Sequence, residues 1–281
     1  MSAVFDKYRA GLGEYAISLA ATSSCPIALR PICRQVGVHS IRREKLSEAR
    51  SMLVDASSKP VIILGTVPSR FSNTAPFTAW ERFLIAHEVG HLVLRKLGAK
   101  NPSGQSEYWK VERLCDVFAR WLLMPDRVVR SVVKEKHPNP ADSLRETLNL
   151  MYECRVPWSI AALRVADFST DPTFLRVAQI PVPHSRDSQN ASPIFKVVTT
   201  TRENQKGIGQ VIKNGTALYQ TLIDCLRDDY DEPHDIDREK LLGIAGLDQI
   251  ASAAVCQVSS RRPRNAARAL GLAVMTRTLA R

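Results

Sequence analysis

Over the first 168 residues the apolar positions recur mostly at helical spacing, interrupted by two short apolar runs. Residues 2–20 read as a helix, and Ile27–Gly37 as a second, shorter one closed by its glycine. Val38–Ile41 and Pro60–Leu64 read as strands, the latter a Val-Ile-Ile-Leu run suited to a buried position. A polar connector, Ser69–Pro76, leads into Thr78–Gly98, where Thr78 and Glu81 have the spacing of a capping box and Gly98 can end the helix. Tyr108–Met124, stopped by Pro125, is the next helix, with Val111, Leu114, Cys115, Phe118 and Leu122 as its apolar stripe. Helices follow at Asp126–Lys136, Asp142–Glu153 and Trp158–Ala166, separated by the breaker His137–Pro140 and a turn at Arg155–Pro157. The pair around that turn carries Leu144, Leu148, Met151, Val156, Ile160 and Leu163 at the spacing of a helix-turn-helix-like unit. Beyond Asp167, Phe174–Val182 and Pro193–Thr201 read as strands, and Thr216–Leu226 and Leu241–Val255 as helices.

The first long apolar helix contains His87-Glu88-Val89-Gly90-His91, which changes the picture from packing to chemistry. Side chains four apart on a helix share a face, with Cβ atoms about 5–6 Å apart. Two imidazoles so placed reach one tetrahedral zinc at about 2.0–2.1 Å each. Glu88 is next to His87 in sequence but about 100° around the axis, where it can serve as general base without ligating. Phe83, Leu84 and Leu94 put both histidines beside an apolar, water-poor stripe. The competing reading makes them ordinary helix residues with no metal.

A catalytic zinc needs a third protein ligand and one open position. On the following helix Glu112, Cys115, Asp116 and Ala119 form a stripe beside the apolar face. A carboxylate there is costly unless paired or coordinated. Glu112 is thus the candidate third ligand, the alternative being a solvated partner of Lys110, Arg113 or Lys96. Asp116, one turn later, can accept a hydrogen bond from the free ring nitrogen of a ligating histidine. Should Glu112 not ligate, Asp116 or Glu107 is next in line. For Cys115 the reading is a thiol packed between helices.

Arg82-Phe-Leu-Ile-Ala-His-Glu-Val-Gly-His91 followed by Glu112-Arg-Leu-Cys-Asp-Val-Phe-Ala-Arg-Trp-Leu-Leu-Met-Pro125 resembles the ImmA/IrrE family of metallopeptidases. The resemblance reaches from about Ile27 to Phe168. It implies that His87, His91 and Glu112 hold zinc and that Glu88 is the catalytic glutamate. Asp116 stands where the family often has asparagine. The resemblance further implies that the substrate is a helix-turn-helix transcriptional repressor, cut to release a stress or mobile-element regulon.

Composition adds bounds. At 281 residues the chain can form one large or two modest domains. No apolar run approaches the roughly 18 residues of a membrane helix, and no basic leader precedes the apolar stretch Tyr15–Ala21, so a cytoplasmic protein without a signal peptide is expected. Six cysteines, none in a Cys-x-x-Cys pair, read as reduced packing residues. The net charge of +11 suits an acidic partner, and it is uneven. Asp224–Glu239 is acidic, while Ser259–Arg281 holds six arginines and no acid, so this tail is either a solvated extension or a DNA contact. Ser159, Arg155 and Arg164 are too few polar donors to argue base readout by the helical pair.

The resulting expectation is an α+β protein. A zincin-like metallopeptidase core with a small sheet spans 1–136, a helix-turn-helix-like segment 137–168, and an α/β C-terminal extension 169–281. The expected activity is zinc-dependent peptide-bond hydrolysis, with one zinc per chain and manganese as a substitute. The partners are a protein substrate, with DNA through the basic tail and no membrane. Tyr108 and His137 are candidates, by residue type alone, for stabilising an oxyanion. The rival class is a DNA-binding regulator whose peptidase fold is inactive or incidental, and a third possibility is a toxin–antitoxin or phage-associated regulator that binds its partner, such as a repressor, without cutting.

Overall fold

A computed structural model describes residues 3–21, 23–46, 51–54, 59–65, 76–134, 140–168, 172–180, 194–200, 211–212, 220, 222, 234–236, 250–257 and 269–276. The chain divides into two units, the first Met1–Ser131 with Leu150–Pro157, the second Val132–Asn149 with Trp158–Arg281. The architecture is α+β, mostly helical in the first unit and built on strands in the second.

In the first unit, helix α1 (Ala3–Ala20) buries Leu12, Ala16, Leu19 and Ala20, a stripe at helical spacing. Helix α2 (Leu29–Val36) buries Leu29, Ile32, Cys33 and Val36. It ends at Gly37, whose φ of 96° lets the Val38 amide reach back to the Cys33 carbonyl at 2.8 Å. Strands β1 (Ser40–Glu44), β2 (Ser51–Val54) and β3 (Val61–Gly65) form a sheet in the order β1-β3-β2. β1 runs parallel to the central β3, and β2 antiparallel to it along one edge. Ile62 and Leu64 of β3 are fully buried, as a central strand of alternating exposure requires.

Helix α3 (Ala79–Lys96) is buried around most of its circumference, with Arg82 through Gly90 and Leu92–Leu94 all inside. β2 and β3 lie against it on one side and helix α4 (Gln105–Leu123) on another. α4 also packs on α1 and buries Leu114, Cys115, Phe118, Ala119, Leu122 and Leu123, while its first turns stand in solvent. Helix α5 (Asp126–Val132) starts after Pro125. Helix α6 (Pro140–Cys154) has Leu150–Cys154 in the first unit.

The second unit contains the rest of α6, helix α7 (Trp158–Phe168) and a six-stranded sheet. The strands are β4 (Pro172–Ile180), β5 (Ile194–Thr200), β6 (Val211–Ile212), β7 (His234–Ile236), β8 (Ile250–Gln257) and β9 (Ala269–Thr276). Their order is β6-β5-β4-β9-β8-β7, antiparallel throughout, and α7 packs on β4.

Several expectations shift. The first strand begins two residues later than predicted and runs to Glu44, and β2 was not anticipated at all. The helix expected at Leu241–Val255 is corrected: Ile250–Val255 is part of β8, held between β7 and β9. An alanine-rich run has helical propensity, but sheet pairing on both sides overrides it. The basic tail is not a free extension, because Ala269–Thr276 is the strand between β4 and β8. Its six arginines, and the breaker with His137, lie outside the described residues, as does most of the helix expected at Thr216–Leu226. Arg164, counted as a polar donor, is only 2% exposed and lies over the Phe168 ring. Among the described residues no helix is long and apolar enough to cross a membrane.

Candidate metal centre

The site is assembled on α3, and the start of that helix is fixed from two directions. The Thr78 hydroxyl accepts from the Glu81 amide, and the Glu81 carboxylate accepts from the Thr78 amide at 2.8 Å. The same carboxylate receives Arg43 of β1 in a two-pronged contact at 2.6 and 3.2 Å. Burial alone would raise the Glu81 carboxyl; the Arg43 and Thr78 bonds outweigh it and hold the group below its ordinary value. The capping box thereby doubles as the anchor between helix and sheet.

Two turns further along, His87 and His91 present their rings on one face, centroids 5.0 Å apart and 70° to one another. Glu112 of α4 faces both. One carboxylate oxygen lies 3.2 Å from His87 Nε2, the other 3.4 Å from His91 Nε2. The second ring nitrogen of His87 is 2.8 Å from Asp116 Oδ1. Glu88, next to His87 on α3, is only 5% exposed, and the Ser51 hydroxyl of β2 donates to its Oε1 at 2.6 Å; its charge acts on His87, Cys115 and Tyr108.

Electrostatics follow the geometry. Burial opposes charge on His87, but the Asp116 and Glu112 hydrogen bonds and the nearby carboxylates win, and the imidazole is pushed up to about 10. Bonds from His87 and His91 hold the Glu112 carboxyl down to about 2 despite partial burial. The two shifts have a common cause, the Glu112 carboxylate facing the imidazoles at hydrogen-bond distance. Tyr108, one turn before Glu112, has its phenol raised by burial and by the Glu112 and Glu88 carboxylates, so it borders the same charges. Glu107 does not reach the group; its carboxylate accepts from the amide and hydroxyl of Ser103 on the exposed start of α4.

The donor chemistry suits a divalent cation of zinc type: two imidazole nitrogens and a carboxylate converge from two rigid helices. Cys115 is a rival to Glu112. The ligand atoms of His87, His91 and Cys115 all lie within 4.8 Å of one another, making a metal-capable group among the described residues. Burial, with the Glu112, Glu88 and Asp116 charges adding, pushes the Cys115 thiol far above its ordinary value, whereas Glu112 is already ionised and addresses both imidazoles. Cys115 has another structural duty. A Cβ on Gly90 would lie 3.1 Å from the Cys115 Cα and 3.2 Å from Phe118, so the missing side chain at Gly90 is what lets α4 approach this closely.

Sequence reasoning named His87, Glu88, His91, Glu112 and Asp116, and the fold brings all five together. It missed Ser51, whose strand is too short to announce itself, and the packing role of Gly90.

Residues 78–165 match the IrrE N-terminal-like domain family of peptidases. No curated protein sequence matches the chain. Among solved structures it is similar to a Mycobacterium tuberculosis transcriptional regulator, with a TM-score of 0.50 and 11% identity over 94% of this chain and 87% of that one. At that identity the likeness is one of fold. The capped helix with its paired histidines, the helix bearing Glu112 and the helices up to Val165 all lie in the stretch that matches the IrrE N-terminal-like peptidase domain.

Proposed function

We propose that the protein is a metal-dependent endopeptidase with a zincin-like core, in which His87, His91 and Glu112 hold one zinc, or manganese in its place. The observation that carries this reading is the facing of both Nε2 atoms onto the two oxygens of Glu112, with the Glu88 carboxylate next to them bonded by Ser51. When bound, the cation would supply Lewis acidity toward the scissile carbonyl and would lower the pKa of a water in the site toward about 7. Glu88 accepts the proton of the attacking water and delivers it to the departing amine. Asp116 fixes His87 in the tautomer whose Nε2 lone pair faces the site, and Ser51 keeps the Glu88 carboxylate aimed at the reacting water. Tyr108 is the candidate donor to the developing oxyanion.

β2 is an edge strand lying against α3, so an extended peptide can add to it beside the histidines. The substrate inferred from the family is a helix-turn-helix repressor, cut at an exposed linker. In this reading 1–136 is the peptidase, 137–168 a helix-turn-helix-like segment, and 169–281 an extension whose partner is open to experiment. A second reading, a regulator that binds a repressor or DNA without cutting, is consistent with the name of the structural neighbour and with the arginine-rich tail.

Incubating the protein with its cognate repressor and zinc separates the two. One discrete cut is expected, abolished by chelator and reduced on the order of 10²–10⁴-fold in Glu88→Gln, the usual worth of a general acid–base group. Binding of the repressor with no new fragment at high protein and excess metal would establish the regulator reading instead.

A further inference from the structure

Away from the histidines, two thiols from distant parts of the sequence meet in the first unit. Cys25 lies in the connection between α1 and α2, and Cys154 is the last residue of α6, 129 positions later. Their Sγ atoms are 3.5 Å apart, and both are free thiols. A disulfide places its sulfurs at about 2.03–2.05 Å, so the pair needs an approach of roughly 1.5 Å.

The surroundings hold both partners in place. Arg127 of α5 donates to the carbonyls of Ala20 at 2.9 Å, Ala21 at 3.0 Å and Ser23, tying down the chain before Cys25. Arg82 of α3 donates to the Ile27 carbonyl at 2.9 Å and to that of Cys154 at 3.5 Å, so one buried guanidinium bridges the segment after Cys25 to Cys154 itself. Such bracing makes the thiol contact a built one.

The two sulfurs differ in chemistry. The hydrogen bond from Cys154 favours thiolate at Cys25 and outweighs partial burial and the Glu153 carboxylate, with Arg127 and Arg82 assisting. The same bond, with burial, raises the Cys154 thiol. Cys25 is half-buried and open to a small oxidant, while Cys154 is buried behind it. Cys33 and Cys115 make poor competitors: both are buried, the first pushed up to about 12 and the second higher still, mainly by burial.

We propose that Cys25 and Cys154 form a peroxide-responsive thiol pair in which Cys25 is oxidised first and Cys154 closes the disulfide. The Cys25 thiolate attacks one oxygen of hydrogen peroxide, forming an S–O bond as the O–O bond breaks and hydroxide leaves, which gives the sulfenic acid. The Cys154 sulfur then attacks the Cys25 sulfur, the S–O bond breaks, and the Cys154 proton leaves with the hydroxyl as water. The sum is two thiols and one peroxide giving one disulfide and two waters. The link fastens the α1–α2 connection to the end of α6, next to the helix that carries the histidines.

The test uses the full chain, reduced, freed of reductant, treated with hydrogen peroxide near stoichiometry, alkylated and digested without reduction. A peptide joining Cys25 to Cys154 is expected, lighter by about 2 Da than its two halves, and the linked protein should melt roughly 5–15 °C above the reduced one. Cys25→Ser, with the melting temperature of reduced wild type, should give neither. In Cys154→Ser a 1,3-dione probe should trap the sulfenic acid at Cys25; if that variant does not fold, the wild-type map decides alone. Conversion of Cys25 to sulfinic acid with Cys154 still alkylatable, or linkage only through other cysteines or between chains, would overturn the proposal.

Discussion

Glu88 and Glu112 are the same side chain beside the same pair of imidazoles, and their neighbours separate them. Glu112 meets two ring nitrogens with its two oxygens, and the bonds from both histidines keep it ionised. Glu88 meets a hydroxyl, with Ser51 at 2.6 Å. If Glu88 is the base, that hydroxyl restricts its rotamer and the direction of its free lone pairs. Ser51→Ala should lower turnover roughly 10–100-fold, the range for losing a partner that orients a site residue, with metal content unchanged. Ser51→Thr, which keeps the hydroxyl, should recover most of it. Unaltered turnover in Ser51→Ala would mean that the hydroxyl merely satisfies a buried carboxylate. The sequence made the α3 and α4 residues legible, because a four-residue spacing fixes a face regardless of tertiary context. Ser51 was not legible, since its partner lies 37 positions away and is set by how β2 lands on α3.

The helices are brought to bonding distance by what is absent at Gly90. The histidine motif assigns Gly90 no chemistry, and the reason for a glycine there appears only in the packing. A Cβ there meets the backbone Cα of Cys115 at 3.1 Å, and backbone cannot swing aside as a side-chain end can. Gly90→Ala should therefore force α3 and α4 apart and destabilise the fold by roughly 1–3 kcal/mol, although alanine favours an isolated helix. Denaturant unfolding at constant slope measures it, and a stability equal to or above wild type would refute the close-packing argument. Elements with strong periods and caps were readable: α1, α3 and α4 fall close to their predicted spans. Elements specified by pairing were not. β2 is four residues long, and β8 carries an alanine-rich sequence whose local preference yields to neighbours on either side.

For the whole molecule, charge and chemistry fall in different stretches. The histidines and both glutamates lie between Ala79 and Leu123, within the matched peptidase family. The arginine-rich tail flanks β9, a strand between β4 and β8, so cutting the tail off would remove a sheet strand along with the charge. Any role of that charge is better probed by replacing arginines than by truncation. The central claim concerns the ion, and the measurement that tests it most directly is the zinc content of dialysed wild type, Glu112→Ala and Cys115→Ala. The account predicts about one zinc per chain in wild type and in Cys115→Ala, and loss of most of it in Glu112→Ala. Full zinc in Glu112→Ala with loss in Cys115→Ala would transfer the third ligand to the thiol, and no zinc in wild type would contradict the metallopeptidase reading itself.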